Sequence, residues 1–230
     1  MKPGDWKIVR STPLFGAMPE ETAQSLAGTN PVRTVGRGTL LFQQGAPAAS
    51  FFVILDGWVK IFRLTRDGGE AVVGVFCRGE TFAEAAIFLG SQYPVSAEVV
   101  TDSRLLTIDG ESFRSRIHQE PDLALAMLAS ASQHLKFLVE HIEQIKLLDA
   151  PRRIADFLVR MCRVQAGTCT VELPYEKSLI AKRLGMKPES LSRALARLRP
   201  LGVSAERNVV VIADVNALRQ FIVSRSEDEI

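Results

Sequence analysis

A chain of 230 residues has room for one large domain or two modest ones. With 47% hydrophobic and 23% charged residues it can bury an ordinary core, which excludes a disordered chain. The net charge is only +2, but residues 1–145 hold 13 basic and 16 acidic side chains, whereas residues 146–207 hold 13 and 6. A basic C-terminal part points to a polyanionic partner. Cys77, Cys162 and Cys169 form no disulfide framework and are expected to be structural. The N-terminus lacks the apolar core of a signal peptide, and no run approaches the ~18 apolar residues of a membrane span. A cytoplasmic protein with no membrane partner is expected.

Residues 11–29 read as a helical lead-in, with Pro19 opening a helix that stops near Gly28. Short apolar runs cut by glycine follow at 39–42, 51–55, 58–64, 71–76, 95–100 and 104–108. That spacing predicts an antiparallel β-barrel or jelly roll. From Pro121 to about Leu148 the period becomes helical. Leu128, Ala131, Leu135, Leu138, Ile142 and Ile145 are spaced 3, 4, 3, 4, 3, the a/d seam of a helix pairing with a second copy. Asp149 can cap the next helix with Pro151 in its first turn, and 154–164 reads as that helix. A short strand is expected at 168–173, helices at 175–183 and 188–199, and a hairpin of 203–205 with 209–212 turning at 206–208.

The stretch from Tyr175 to Gly202 carries the most information. Ala181 is small enough to let two helices approach, Gly185 suits the turn between them, and Pro188 suits the first turn of the second helix. Leu191, Leu195 and Leu198 make a buried stripe, which turns Glu189, Ser192, Arg193, Ala196, Arg197 and Pro200 onto other faces. The hairpin that follows completes a winged helix. No metal triad, nucleophile elbow or phosphate loop is present, so the chain is not expected to be an enzyme. A free-standing ligand-binding module would have no use for a winged helix.

In this order of elements the chain resembles the Crp/Fnr family of bacterial transcription regulators. The residues that carry the resemblance are Thr12-Pro13-Leu14-Phe15, the turns at 36–45 and Asp56-Gly57, and Gly79-Glu80-Thr81-Phe82-Ala83-Glu84. The resemblance implies an α+β protein: a sensor barrel at 1–120, a dimerisation helix at 121–148 and a DNA-binding winged helix at 149–230. It implies a homodimer bound to double-stranded DNA, with RNA polymerase as a further partner. Glu189-x-x-Ser192-Arg193 matches the pattern of the Fnr-type branch, which reads TTGAT-type half-sites. Arg193 can donate twice to guanine, Glu189 can accept from cytosine N4, and Ser192 can contact thymine. Ser178, Lys187 and Arg197 suit phosphate contact by type.

Resemblance places the effector pocket at Ala83, Glu84, Ser96 and Ala97. Cyclic-AMP-binding relatives carry an arginine before the Ser-Ala pair, but Pro94 or Val95 stands there. A buried phosphate would lack its cation, which argues against cyclic AMP. Three cysteines cannot supply the four thiolates of an iron–sulfur cluster. The runs 81–88 and 121–126 look like the Dnr/Nnr branch, which responds to nitric oxide through haem, with His118, His134 and His141 as the available imidazoles. The alternatives are a cyclic nucleotide or other small ligand, or no small-molecule ligand at all.

Overall fold

The computed structural model describes residues 1–65, 67–89, 92–162, 164–174 and 176–223. The chain divides into two compact units, Met1–Leu138 and Val139–Ile230.

The first unit opens with helices α1 (Asp5–Ser11), α2 (Pro13–Ala17) and α3 (Glu20–Thr29). Then come β1 (Val32–Val35), β2 (Leu40–Phe42), β3 (Ser50–Asp56), β4 (Trp58–Leu64), β5 (Glu70–Cys77) and β6 (Thr81–Phe82). Helix α4 (Glu84–Leu89), β7 (Ser96–Val99), β8 (Ser103–Asp109), α5 (Gly110–Gln119) and α6 (Pro121–Leu147) follow, the last running across the boundary between the units. The strands make two four-stranded antiparallel sheets, ordered β1-β8-β3-β6 and β2-β7-β4-β5, a jelly roll as expected.

Strand β3 explains why its apolar run is continuous rather than alternating. Successive side chains point to opposite faces of a strand. Phe51 meets Phe113 of α5 edge-on at 5.2 Å, while Phe52 stacks on Phe82 at 5.0 Å and Phe42 at 6.0 Å. Both faces of β3 are therefore covered. Gly57, in the tight β3–β4 turn, has φ 89°, and a Cβ there would lie 2.7 Å from the Asp102 carbonyl oxygen. Only glycine fits.

Helix α1 is tied to the sheet by charge. Arg104 of β8 donates from both terminal nitrogens to Asp5 (2.9 and 2.7 Å), and Asp5 is 3% exposed. The hydrogen bonds from Arg104 hold the Asp5 carboxyl below the ordinary carboxylate range, against the effect of burial. Asp5→Ala should destabilise this unit by about 1–3 kcal/mol, because it removes the bidentate partner of Arg104 and leaves Asp56 as the remaining carboxylate acting on it. A group with a depressed folded pKa contributes stability above its unfolded value and loses it as pH falls through the folded one. Urea unfolding between about pH 4 and pH 2 should therefore show a shallower pH dependence in Asp5→Ala than in the parent.

The second unit contains α7 (Ala150–Met161), β9 (Cys169–Glu172), α8 (Lys177–Arg183), α9 (Pro188–Arg197), β10 (Val203–Glu206), β11 (Val209–Ile212) and α10 (Val215–Val223). The Asp149 carboxylate accepts from the Arg152 N–H (2.9 Å), and Pro151 lies in the first turn, as expected. Helix α7 therefore starts earlier than the 154–164 read from periodicity, because the cap rather than the apolar pattern sets its first turn. Strand β11 lies between β10 and β9 in an antiparallel sheet. The hairpin is tighter than expected: Glu206 pairs with Val209, leaving Arg207 and Asn208 to turn, with Arg207 at φ 51°. The expected helix at 188–199 ends at Arg197, and Arg199–Leu201 continues as a 3-10 turn around Pro200.

Candidate DNA-reading helix and sensor pocket

Helix α9 is held by its apolar stripe. Leu191 and Leu198 are buried as expected, Leu195 is buried beside them, and Ala194 completes the contact. Its packing partners are α7 and α8. Between α8 and α9 the Met186 N–H donates to the Ala181 carbonyl (2.9 Å), and Gly185 takes φ 62°. Ala181 is fully buried, which lets the helices approach.

Burial of that stripe decides what is left outside. Glu189, Ser192 and Arg193 are all exposed, and at positions i, i+3 and i+4 they share one face of α9. Lys187 is the exposed N-terminal cap residue, Arg197 is exposed in the last turn, and Ser178 is half-buried in the first turn of α8. Backbone N–H groups at the start of both helices are suited to phosphate oxygens. The arrangement sets a carboxylate, a hydroxyl and a guanidinium side by side on one exposed face, with the cations of Lys187 and Arg197 at the two ends of the helix.

In the first unit, Glu84 starts α4 directly after Ala83, which stands at φ 71° in the left-handed region. The Thr81 hydroxyl donates to the Glu84 carboxylate. Burial pushes the Glu84 carboxyl up, offset in part by that hydrogen bond and by the nearby His134 imidazole of α6. Ser96 and Ala97, the other expected pocket residues, are buried in β7. Ser96 is engaged: its hydroxyl accepts from the Gln44 N–H (2.9 Å). Where a cyclic phosphate would need a cation, the structure has an exposed Pro94 and a half-buried Val95.

His134 is exposed and its electrostatic partner is a carboxyl. The side chains of His118 and His141 lie outside the described residues. Among those described, no group of three His, Cys, Asp or Glu side chains could hold a metal ion. No helix among the described residues is long and apolar enough to cross a membrane.

Four of the six seam positions can be placed. Leu128, Ala131, Leu135 and Leu138 are exposed on α6, with Leu128 at 66% and Leu135 at 63%. Ile142 and Ile145 fall outside the described side chains. Leu125 and Val139 are also exposed and widen the apolar stripe. The periodicity did not single them out, because the strict 3-4 spacing skips both.

A jelly-roll sensor domain and a winged helix in one chain define a DNA-binding regulator. Known proteins bear this out. The cyclic nucleotide-binding domain family matches residues 32–120 and the Crp-like helix-turn-helix domain matches residues 152–221. The nitrogen fixation regulation protein FixK of Rhizobium meliloti is 30% identical over 84% of each chain. A crystal structure from Ruegeria pomeroyi, described as a candidate cyclic nucleotide binding protein, is 42% identical. It has a TM-score of 0.89 and covers 97% of this chain and 99% of its own. The structure of DNR from Pseudomonas aeruginosa is 29% identical, with a TM-score of 0.58 over 96% of this chain and 99% of that one. The chain belongs to the Crp/Fnr family of transcription regulators, and it is not an enzyme.

Proposed function

We propose that the protein is a homodimeric, sequence-specific regulator that reads a palindrome of TTGAT-type half-sites through Glu189, Ser192 and Arg193. The observation that carries this reading is the exposed face of α9, where those three side chains stand together above a fully packed helix-turn-helix. Charge supports it, since residues 146–207 hold 13 basic and 6 acidic side chains. The exposed leucines of α6 support pairing with a second copy. Selection from random duplexes should return two inverted half-sites centred about one helical turn, ~10 bp, apart. Direct repeats or single half-sites would contradict it. RNA polymerase is the further partner that family membership implies.

For the effector, the buried Glu84 carboxyl and the uncharged Pro94 and Val95 support a ligand without a phosphodiester anion. The second reading, a cyclic nucleotide, draws on the description of the Ruegeria pomeroyi protein. Against it stand Pro94 and Val95, which carry no charge where the anion needs one. Cyclic AMP at ~1 mM should leave the melting temperature unchanged, whereas a ligand at 100 times its Kd would add about 2.7 kcal/mol. A shift of several degrees would reinstate it. The resemblance of residues 81–88 and 121–126 to the Dnr/Nnr branch supports nitric oxide through haem, and a visible spectrum of the protein titrated with haemin tests that route directly.

A further inference from the structure

The wing that follows α9 ends in a strained cation. Glu206 pairs with Val209, so only Arg207 and Asn208 make the turn, and Arg207 takes φ 51°. That is the left-handed region, which glycine enters freely and asparagine tolerates better than most residues. Arg207 occupies it all the same, one position before Asn208. Its side chain is exposed, and among the described residues the guanidinium has neither a hydrogen-bond nor an ion-pair partner. No contact among those residues offsets the strain, which points outward to a partner.

The tip is held in a fixed place. The Asn208 carbonyl accepts from the Leu173 N–H (2.7 Å), tying the turn to the end of β9. The Val203 N–H donates to the Leu198 carbonyl (3.3 Å), tying the start of β10 to the end of α9. Four residue steps of about 3.3 Å carry the chain from Val203 to Arg207, roughly 13 Å. A B-DNA major groove is about 12 Å wide. With α9 in one major groove, a tip of that reach stands beyond the phosphate ridge, at the adjoining minor groove. Charge agrees with contact through the tip rather than the sheet. Arg207 is the one Lys or Arg in β9, β10, β11 and their hairpin turn, whereas Glu206 and Glu172 lie either side of Val209 on the exposed sheet face.

We propose that Arg207 enters the minor groove beside each half-site and makes the protein prefer A·T pairs there. This rests on the reading in which α9 occupies the major groove. Runs of A·T narrow the minor groove and deepen its negative potential, which draws an arginine in. A G·C pair instead presents the guanine N2 amino group, a donor where the guanidinium needs an acceptor. Sequence preference then extends past the base pairs that Glu189, Ser192 and Arg193 touch.

The test titrates the full-length protein against its selected palindrome with A·T or G·C pairs about 5 bp, half a helical turn, from each half-site centre. One set of duplexes changes the outer flanks and another the spacer. The parent should bind the A·T duplexes about tenfold more tightly than the G·C ones in one of the sets. Arg207→Ala should level the two. Arg207→Gly should level them as well while melting no lower than the parent, because it removes the strain together with the cation. An equal loss on every duplex would make Arg207 a phosphate anchor, and no loss would make it a solvated side chain; either overturns the proposal. Substitution of the core guanine tests the α9 reading by itself. A parent that ignores the core refutes that reading and the proposal with it, whereas one that reads the core but neither flank nor spacer refutes the proposal alone.

Discussion

Leu138→Glu should convert the protein from a dimer to a monomer. Helix α6 has 27 residues, about 40 Å, and carries exposed Leu128, Leu135 and Leu138 along its length. So much unpartnered leucine on one helix is accounted for when a second copy covers it. In a two-fold pair the substitution would set two carboxylates into one apolar seam. At about 3 kcal/mol or more for each buried, unpaired charge, dimer affinity should fall by at least a thousandfold. Sedimentation or light scattering at micromolar concentration reads the result. Binding to the full palindrome should fall with it, because a monomer places one recognition helix instead of two. A variant that remains dimeric would place the interface elsewhere.

The second large effect separates reading from anchoring on α9. Arg193→Ala removes a bidentate base contact, so it should cost about 1–3 kcal/mol and relax preference at one guanine. Arg197→Ala, in the last turn, should weaken binding to all sequences alike and lower the salt slope by about one. Glu189→Ala has the opposite sign on non-cognate DNA. An exposed carboxylate facing phosphates is repulsive unless it accepts from a base. Its removal should leave non-specific binding equal or tighter while discrimination at one C·G pair is lost. Titrations against cognate and singly substituted duplexes at two salt concentrations distinguish the three. Full discrimination in Glu189→Ala would mean that this face of α9 does not meet the bases.

Much of this architecture was legible in the sequence because the patterns were local. Six strands were placed within one or two residues by apolar runs ending at glycine turns. The helix-turn-helix was fixed by Ala181, Gly185, Pro188 and three leucines, each needed for a steric reason. What escaped lacked such a pattern. Helices α1, α4, α5 and α10 are short and bury few residues each, and β1 and β6 take their strand form from the neighbours they pair with. Helix α1 is held in part by the Asp5–Arg104 pair, whose partners are 99 residues apart. The reach of His134 to Glu84 depends on how the chain folds back, and no spacing rule contains that information.

Ala83 has a consequence for how this sequence can drift. An L-residue at φ 71° sits about 1–2 kcal/mol above its relaxed backbone energy, and glycine alone is free of that penalty. Most replacements at this position are therefore biased one way. A β-branched or bulky side chain adds to the strain, while Ala83→Gly relieves it and returns a small reserve of stability. Such a reserve lets a lineage tolerate mildly damaging changes elsewhere in the barrel. The residue directly before Glu84 is thus a lever on the evolvability of the sensor.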